Sequence, residues 1–336
     1  MNPFPRNHLK IAVLGGGTGS FTLLSALKHH SHSIAAIVNM ADDGGSTGVL
    51  RDELGTLPPG DIRQCLVALS DSPKIRDLFN YRFDEGTFAG HAFGNLLLSA
   101  LEKMTGDFSE AVETASEILR INGVVIPATL DDVRLRMTWP EESLTGEAVI
   151  DAKSFDYDPR RAKLALTPQP VVNPDAITAI TQADLVVIAP GDLYTSLGPL
   201  LVIDGIGDAL RQSDAVKIYV SNLVTKQGQT DGFDVADHAA EIERFAGGAF
   251  LDYVLYNDQK PAADLLERYE REGGRLVTAR QAVLKKQHYT TVGGRFLGEI
   301  AKAHKGDKLP VTRSLIRHDA PSIARALMEV YKDAKS

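Results

Sequence analysis

Two carboxylates side by side, Asp42 and Asp43, run straight into the turn GGSTG (44–48) and are followed by Arg51 and Arg63. Adjacent carboxylates at the end of a strand-like run can hold a Mg²⁺ that bridges phosphate oxygens, or one of them can take a ribose hydroxyl. Ser46 and its flanking glycines make an anion-cradling turn, and the two guanidinium groups match phosphate bidentately. The plainer alternative is an acidic loop closed by a glycine turn, with the arginines paired at the surface to Asp52, Glu53 or Asp61.

A second anion-type turn lies upstream, in KIAVLGGGTGSFTLLSALK (10–28). Lys10 to Leu14 reads as a short buried strand, and Phe21, Leu23, Leu24 and Leu27 give a helix face opening just after the last glycine. Gly15, Gly16, Gly17 and Gly19 thus sit at a strand-to-helix turn. Backbone N–H groups can approach an anion there, and the helix N-terminus adds roughly half a positive charge. Thr18 and Ser20 supply hydroxyl donors. The spelling is not G-x-G-x-x-G, because Ser20 stands at the third glycine, and it is not a P-loop. The alternative is a turn whose glycines serve only close strand–helix packing.

Three further polar stretches carry candidate ligands. AGHAFGNLLL (89–98) opens a helix after glycines and presents His91, as a phosphate donor, a general acid or a structural hydrogen-bonder, and Asn95, facing either inward or toward the crevice. APGDLYTS (189–196) offers Gly191, Asp192, Thr195 and Ser196 around a helix start, where the hydroxyls either cap the helix or meet a sugar or phosphate. SNLVTKQGQTDG (221–232) brings Asn222, Thr225, Lys226, Gln227 and Thr230. Polar residues without an evident nucleophile favour recognition over covalent chemistry. There is no H-E-x-x-H, and no cysteine stands between basic partners.

These loops need elements to hold them. IAVLG, SIAAIVNMA (33–41), ADLVVIAPG (183–191), AVKIYVSNLV (215–224) and AFLDYVLYN (249–257) read as β-branched strands alternating with helical patterns, which predicts an α/β parallel sheet covered on both faces. The polar loops after those strands should then gather at the carboxyl edge of one sheet, where such folds bind ligands. Residues 128–170 break the alternation: VRLRMTW, SLTGEAVI and RRAKLAL, separated by turns, predict a small antiparallel insertion or lid within a single domain spanning 1–336. Asp61 is expected to cap the helix after PPG. HDAPSIARALMEVYKDAK is expected to close the chain as a helix capped by Asp319 or Ser322.

Whole-chain properties exclude several classes. The net charge of −8 leaves no general attraction for nucleic acid or anionic membrane. A single cysteine, Cys65, allows neither an internal disulfide nor a cysteine zinc site. MNPFPRNHLK has no apolar leader and no run reaches membrane-helix length, so the expected location is the cytoplasm.

GGGTG, ADDGGSTGVLRDELGTLPPGDIR (41–63), AGHAFGNLLL, PGDLYTS and SNLVTKQGQTDGFDVADH (221–238) occur in an order that resembles the YvcK family of gluconeogenesis factors. That family is related to CofD, the 2-phospho-L-lactate transferase of deazaflavin coenzyme biosynthesis. The resemblance covers about residues 10 to 320 and implies a Rossmann-like, doubly wound sheet. It further implies a UDP-sugar ligand such as UDP-N-acetylglucosamine, no obligatory cofactor, and a role in cell shape and wall synthesis on gluconeogenic carbon sources. The segment after the Asp pair follows the YvcK pattern and not the transferase's. Asp192 stands where the family usually has serine, which adds a negative charge beside an anion site.

On this reading Gly15–Gly19 cradle the diphosphate, and Asp42 or Asp43 contacts ribose or Mg²⁺. Thr195, Ser196, Asn222 and Thr225 hold base or sugar. The alternative is a Mg²⁺-dependent transferase in which Arg51, Arg63 or His91 stabilises the leaving group; a dinucleotide oxidoreductase comes third. A homodimer and contacts with wall-synthesis proteins are the expected associations.

Overall fold

The computed structural model describes residues 7–271, 274–298 and 317–336. The N-terminal hexapeptide, on which the expectation of no leader partly rests, lies outside them. Strands β1 (Asn7–Gly15), β2 (Ser31–Val38), β3 (Val124–Pro127), β7 (Leu185–Ile188), β8 (Val216–Val220), β9 (Tyr253–Asn257) and β10 (Thr290–Gly294) form one seven-stranded sheet. Between β3 and β7 the chain inserts β4 (Arg134–Thr138), β5 (Ser143–Thr145) and β6 (Lys163–Thr167) as a separate antiparallel sheet in the order β5-β4-β6.

All pairings of the large sheet are parallel, and its order is β10-β9-β8-β7-β1-β2-β3. The chain enters at the middle, works outward to β3, then crosses back to lay β7 on the other side of β1. This is the doubly wound arrangement, and its switch point lies between β1 and β7, the place where such folds bind ligands.

Strand alternation divides the core. From β1, Ala12 and Leu14 face one layer, while Ile11 and Val13 face the other; β7 splits likewise into Val186 and Ile188 against Leu185 and Val187. The second layer is covered by α1 (Gly17–Leu27), α3 (Pro59–Leu69), α5 (Phe93–Thr105), α6 (Phe108–Leu119) and the closing helix Ala320–Lys335. Of the expected apolar face of α1, Leu23, Leu24 and Leu27 are buried there and Phe21 packs against it partly buried. The first layer contains Leu135, Met137, Leu164 and Leu166 of the small sheet and Trp139 just after β4, so the insertion shares a core with the main sheet.

Several local expectations change. Helix α1 opens at Gly17, inside the glycine run and not after it: Gly16 holds the extended N-cap position, and Gly17 at φ +64°, a left-handed turn that glycine makes without strain, swings the chain into the helix. SLTGEAVI divides at Gly146 into strand β5 and the short helix α7 (Glu147–Ala152), a break set by Gly146 at φ +102°. Asp61 is not a cap: Pro58 holds that position, and Asp61 lies in the first turn of α3 with its side chain turned elsewhere. Asp319 does cap the closing helix, accepting from Ser322 N–H at 2.9 Å.

Candidate functional site

The loop from β1 into α1 is shaped by close approaches. A Cβ on Gly16 would stand 2.1 Å from Asp61 Oδ2, and one on Gly19 would stand 1.7 Å from the Pro190 carbonyl oxygen. Asp61 accepts a hydrogen bond from the Gly17 N–H. Strand–helix packing falls to Gly19, which lets α1 press on the loop after β7, while Gly17, its N–H on Asp61, is half-buried and Thr18 stands exposed at the rim. Ser20 is turned inward beneath the loop, 2% exposed, with Oγ unpartnered.

The adjacent carboxylates diverge. Asp42 faces the glycine turns: Oδ1 accepts from Gly44 N–H at 3.0 Å, Thr47 also bonds it, and Oδ2 lies against Gly60. Asp43 points toward the small sheet, where Oδ1 accepts from Ala148 N–H at 2.8 Å and Oδ2 meets Arg134 at 3.4 Å. The third carboxylate at this point is Glu147, whose Oε2, like Asp42 Oδ1, would lie 3.5 Å from a Cβ on Gly44. Sequence reasoning passed over Glu147, because nothing in SLTGEAVI links it to a loop a hundred residues upstream.

Crowding these acids raises their affinity for protons. Burial, then the Asp42 charge and those of Asp151, Asp192 and Asp43, pushes Glu147 up to about 9. Burial and then Asp42 push Asp61 up to about 7, and burial raises Asp42 as well. Among the described residues no three His, Cys, Asp or Glu side chains are placed to hold a metal ion. Asp42 and Asp43, expected as a pair that could hold Mg²⁺, face different partners.

The basic candidates are already engaged. Arg51, 4% exposed, donates to the Asp42 carbonyl at 2.8 Å, the Val133 carbonyl at 2.7 Å and the Asp132 carboxylate, which ties the acidic loop to the insertion. Arg63 donates from Nε to Asn95 Oδ1 at 2.8 Å and from a terminal nitrogen to Asn80 Oδ1 at 2.6 Å. Burial, ahead of the charge on Arg82, lowers its pKa to about 10. Ser46, in the first turn of α2 (Gly45–Leu54), meets His91 Nδ1 at 3.0 Å and accepts from Asn95 Nδ2 at 3.3 Å. GGSTG also has the G-x-S-x-G spelling of a nucleophile elbow. That elbow places its serine on a tight strand-to-helix turn, whereas residues 39–44 separate β2 from α2 here.

On the far side of the crevice the loops brace one another. Asn222 Nδ2 donates to the Gly191 carbonyl at 2.7 Å, and Gly191 N–H returns a bond to Asn222 Oδ1 at 3.3 Å. Thr225 Oγ1 accepts from Arg275 N–H at 3.1 Å. Thr195 is buried, its N–H on Asp192 and its carbonyl accepting from Asn39 Nδ2 at 3.3 Å. Lys226 Nζ joins Asp192 at 2.6 Å to Asp151 of α7 at 2.5 Å. Burial alone would raise Asp192, but the Lys226 charge and the bonds it receives outweigh that and hold it below the ordinary carboxylate range. The extra negative charge in APGDLYTS is thereby balanced within the protein. The post-strand loops of β1, β2, β7 and β8 do meet at one sheet edge, and Ser196 remains half-buried beside Gly191.

A doubly wound parallel sheet with a glycine turn at its switch point, and a three-stranded sheet walling one side, defines a Rossmann-like α/β protein. The family model for 2-phospho-L-lactate transferase CofD matches residues 11–297. The chain is 38% identical to the gluconeogenesis factor of Bacillus subtilis, over 96% of this chain and 98% of that protein. It is 36% identical to the gluconeogenesis factor of Halalkalibacterium halodurans, over 95% of each. A crystal structure of a UPF0052 family member from Bacillus halodurans superposes with a TM-score of 0.86 at 35% identity, covering 96% of this chain and all of that one. The chain belongs to the CofD family, in its gluconeogenesis-factor (YvcK, UPF0052) branch. Among the described residues no helix is long and apolar enough to cross a membrane.

Proposed function

We propose that this protein is a cytoplasmic nucleotide-sugar-binding regulator that acts as a gluconeogenesis factor, with a UDP-sugar such as UDP-N-acetylglucosamine as its ligand. The observation that carries this reading is the glycine turn into α1 at the switch point, with Thr18 exposed on its rim and Gly17 half-buried beside Asp61. The diphosphate lies over Gly15–Gly19, where N–H groups and the helix dipole offset its charge without a cationic side chain. Asp42, following β2, takes the ribose or a Mg²⁺ carried by the phosphates. The sugar extends toward Gly191 and Ser196, while Thr195, Asn222 and Thr225 brace that wall. Control of cell shape and wall synthesis, through contacts with wall-synthesis proteins and as a homodimer, is the physiological role that accompanies this reading.

Calorimetric titration with UDP-N-acetylglucosamine tests it. Saturable binding, weakened about tenfold by Asp42→Ala as expected for one lost hydrogen bond to a charged group, supports the assignment. No binding at millimolar ligand sinks it. The second reading, a Mg²⁺-dependent transferase, is favoured by one observation: Asp42, Asp61 and Glu147 crowd the glycine turns. Metal-dependent turnover of a nucleoside diphosphate derivative, lost in Asp42→Asn, decides for it.

A further inference from the structure

Residues 81–93 form a hairpin at the edge of the site. Phe83 N–H donates to the His91 carbonyl at 3.0 Å, Gly90 N–H to the Phe83 carbonyl at 2.8 Å, and Phe93 N–H to the Tyr81 carbonyl at 2.8 Å. This short excursion carries three aromatic rings. Tyr81 and Phe83 meet edge to face at 5.1 Å, and Phe83 and Phe88 meet at 5.7 Å. The outer two stay in solvent, Tyr81 at 52% and Phe88 at 54% exposure. Aromatic rings left this exposed, on a loop that would need none of them for its backbone bonds, mark a recognition surface.

The roots of the hairpin are fastened to the site. His91 meets Ser46 of the glycine turn, Asn95 donates to the same hydroxyl, and Arg63 joins Asn95 to Asn80 immediately before Tyr81. Arg63 lies two residues from Asp61, which touches the Gly16–Gly17 backbone. The root of the hairpin is thus tied to the Ser46 turn and, through Arg63 on α3, to the helix that carries Asp61. In a doubly wound sheet the carboxylate after the second strand takes the ribose, which puts the nucleoside half of a ligand on the β2 side of the switch point. The hairpin is tied to that side by the bonds of His91 and Asn95 to Ser46, in the turn that follows β2.

We infer that Tyr81 and Phe88 form a stacking platform for the nucleobase of a nucleotide whose diphosphate sits on Gly15–Gly19. The inference rests on the nucleotide-sugar reading and deepens it. Arg63, His91 and Asn95 are positioning residues on this account, holding the platform and not the phosphate.

The test is calorimetry with UDP-N-acetylglucosamine, UDP and inorganic pyrophosphate on the wild type, Phe88→Ala, Tyr81→Ala and Phe88→Tyr, with light scattering on the same samples. Base–aromatic stacking predicts that each alanine variant weakens both UDP ligands by about tenfold, leaves pyrophosphate unchanged, and is matched by near-wild-type affinity in Phe88→Tyr. Wild-type affinity for UDP in both alanine variants overturns the platform while leaving the nucleotide site standing. Equal weakening of pyrophosphate and UDP also overturns it, because the rings would then act on the phosphate turn. Loss of self-association with unchanged UDP affinity assigns the rings to an interface between copies and overturns the inference. A wild type that binds neither UDP ligand overturns the parent reading and the platform with it.

Discussion

Glu147 shows how little of a side chain's behaviour is local. Its own sequence neighbours are Gly146 and Ala148, yet burial and the charges of Asp42, Asp151, Asp192 and Asp43 push it up to about 9. A carboxyl whose folded-state pKa exceeds its unfolded value favours folding while protonated. That contribution is complete below the ordinary value of 4.5 and is lost as pH rises through about 9. Glu147→Gln keeps the shape and removes the charge. It should therefore melt above the wild type at the alkaline end of that window and converge with it at the acid end. A difference on the order of 1 kcal/mol, one pKa-unit equivalent, is expected after screening at this partly exposed position. Melting curves that stay parallel across the window would show that Glu147 does not sense the other acids. Asp61 teaches a related lesson. A carboxylate near a helix start reads as a cap, but Pro58 occupies the N-cap position and Asp61, one turn in, accepts from Gly17.

At the scale of elements, the site depends on how closely α1 approaches the loop after β7. A methyl group at Gly19 would occupy the position of the Pro190 carbonyl, and neither α1 nor that backbone is free to yield. Gly19→Ala is expected to cost about 1–3 kcal/mol of stability through overpacking and to loosen the crevice. Thr18→Ala, one residue away at the exposed rim, should leave the melting temperature almost unchanged while weakening an anion that uses its hydroxyl. Chemical denaturation of the two variants in parallel checks this, and equal stabilities would remove the packing role of Gly19. The loops after β7 and β8 are coupled similarly by Asn222, whose reciprocal bonds with Gly191 convert two irregular turns into one wall. Strand–loop–helix order and the polar content of these loops were legible in the sequence. That Thr225 and Asn222 brace the wall was not, because their partners, Arg275 and Gly191, are fixed only when β7, β8 and the following segments lie side by side.

For the whole molecule, the notable feature is a shared core. Trp139, just after β4 of the small sheet and 3% exposed, packs with Phe155 at 5.3 Å, and Phe155 packs with Tyr194 at 5.6 Å at the switch point. Gln229 clamps α7 by donating to the Ile150 carbonyl at 2.7 Å, and Lys226 adds its link to Asp151. The two sheets should therefore unfold together. Trp139 is the single tryptophan, so its fluorescence reports the small sheet while far-ultraviolet circular dichroism reports the helices of the large one. Coincident transitions in denaturant are expected, and an earlier fluorescence transition would show the insertion to be an independent unit.

The sequence by itself determined the α/β class, the position of the glycine turn, the antiparallel character of residues 128–170 and the family, because hydrophobic period and turn residues are local and survive without knowledge of partners. Tertiary structure alone decided which way neighbouring side chains face. Asp42 and Asp43 are adjacent in the chain yet face different partners, Arg51 and Arg63 are spent on structural partners, and Glu147 arrives at the glycine turns from the insertion. The physical reason is that burial, charge coupling and hydrogen-bond saturation depend on distances between residues far apart in sequence, which only the closed sheet and its shared core bring within reach.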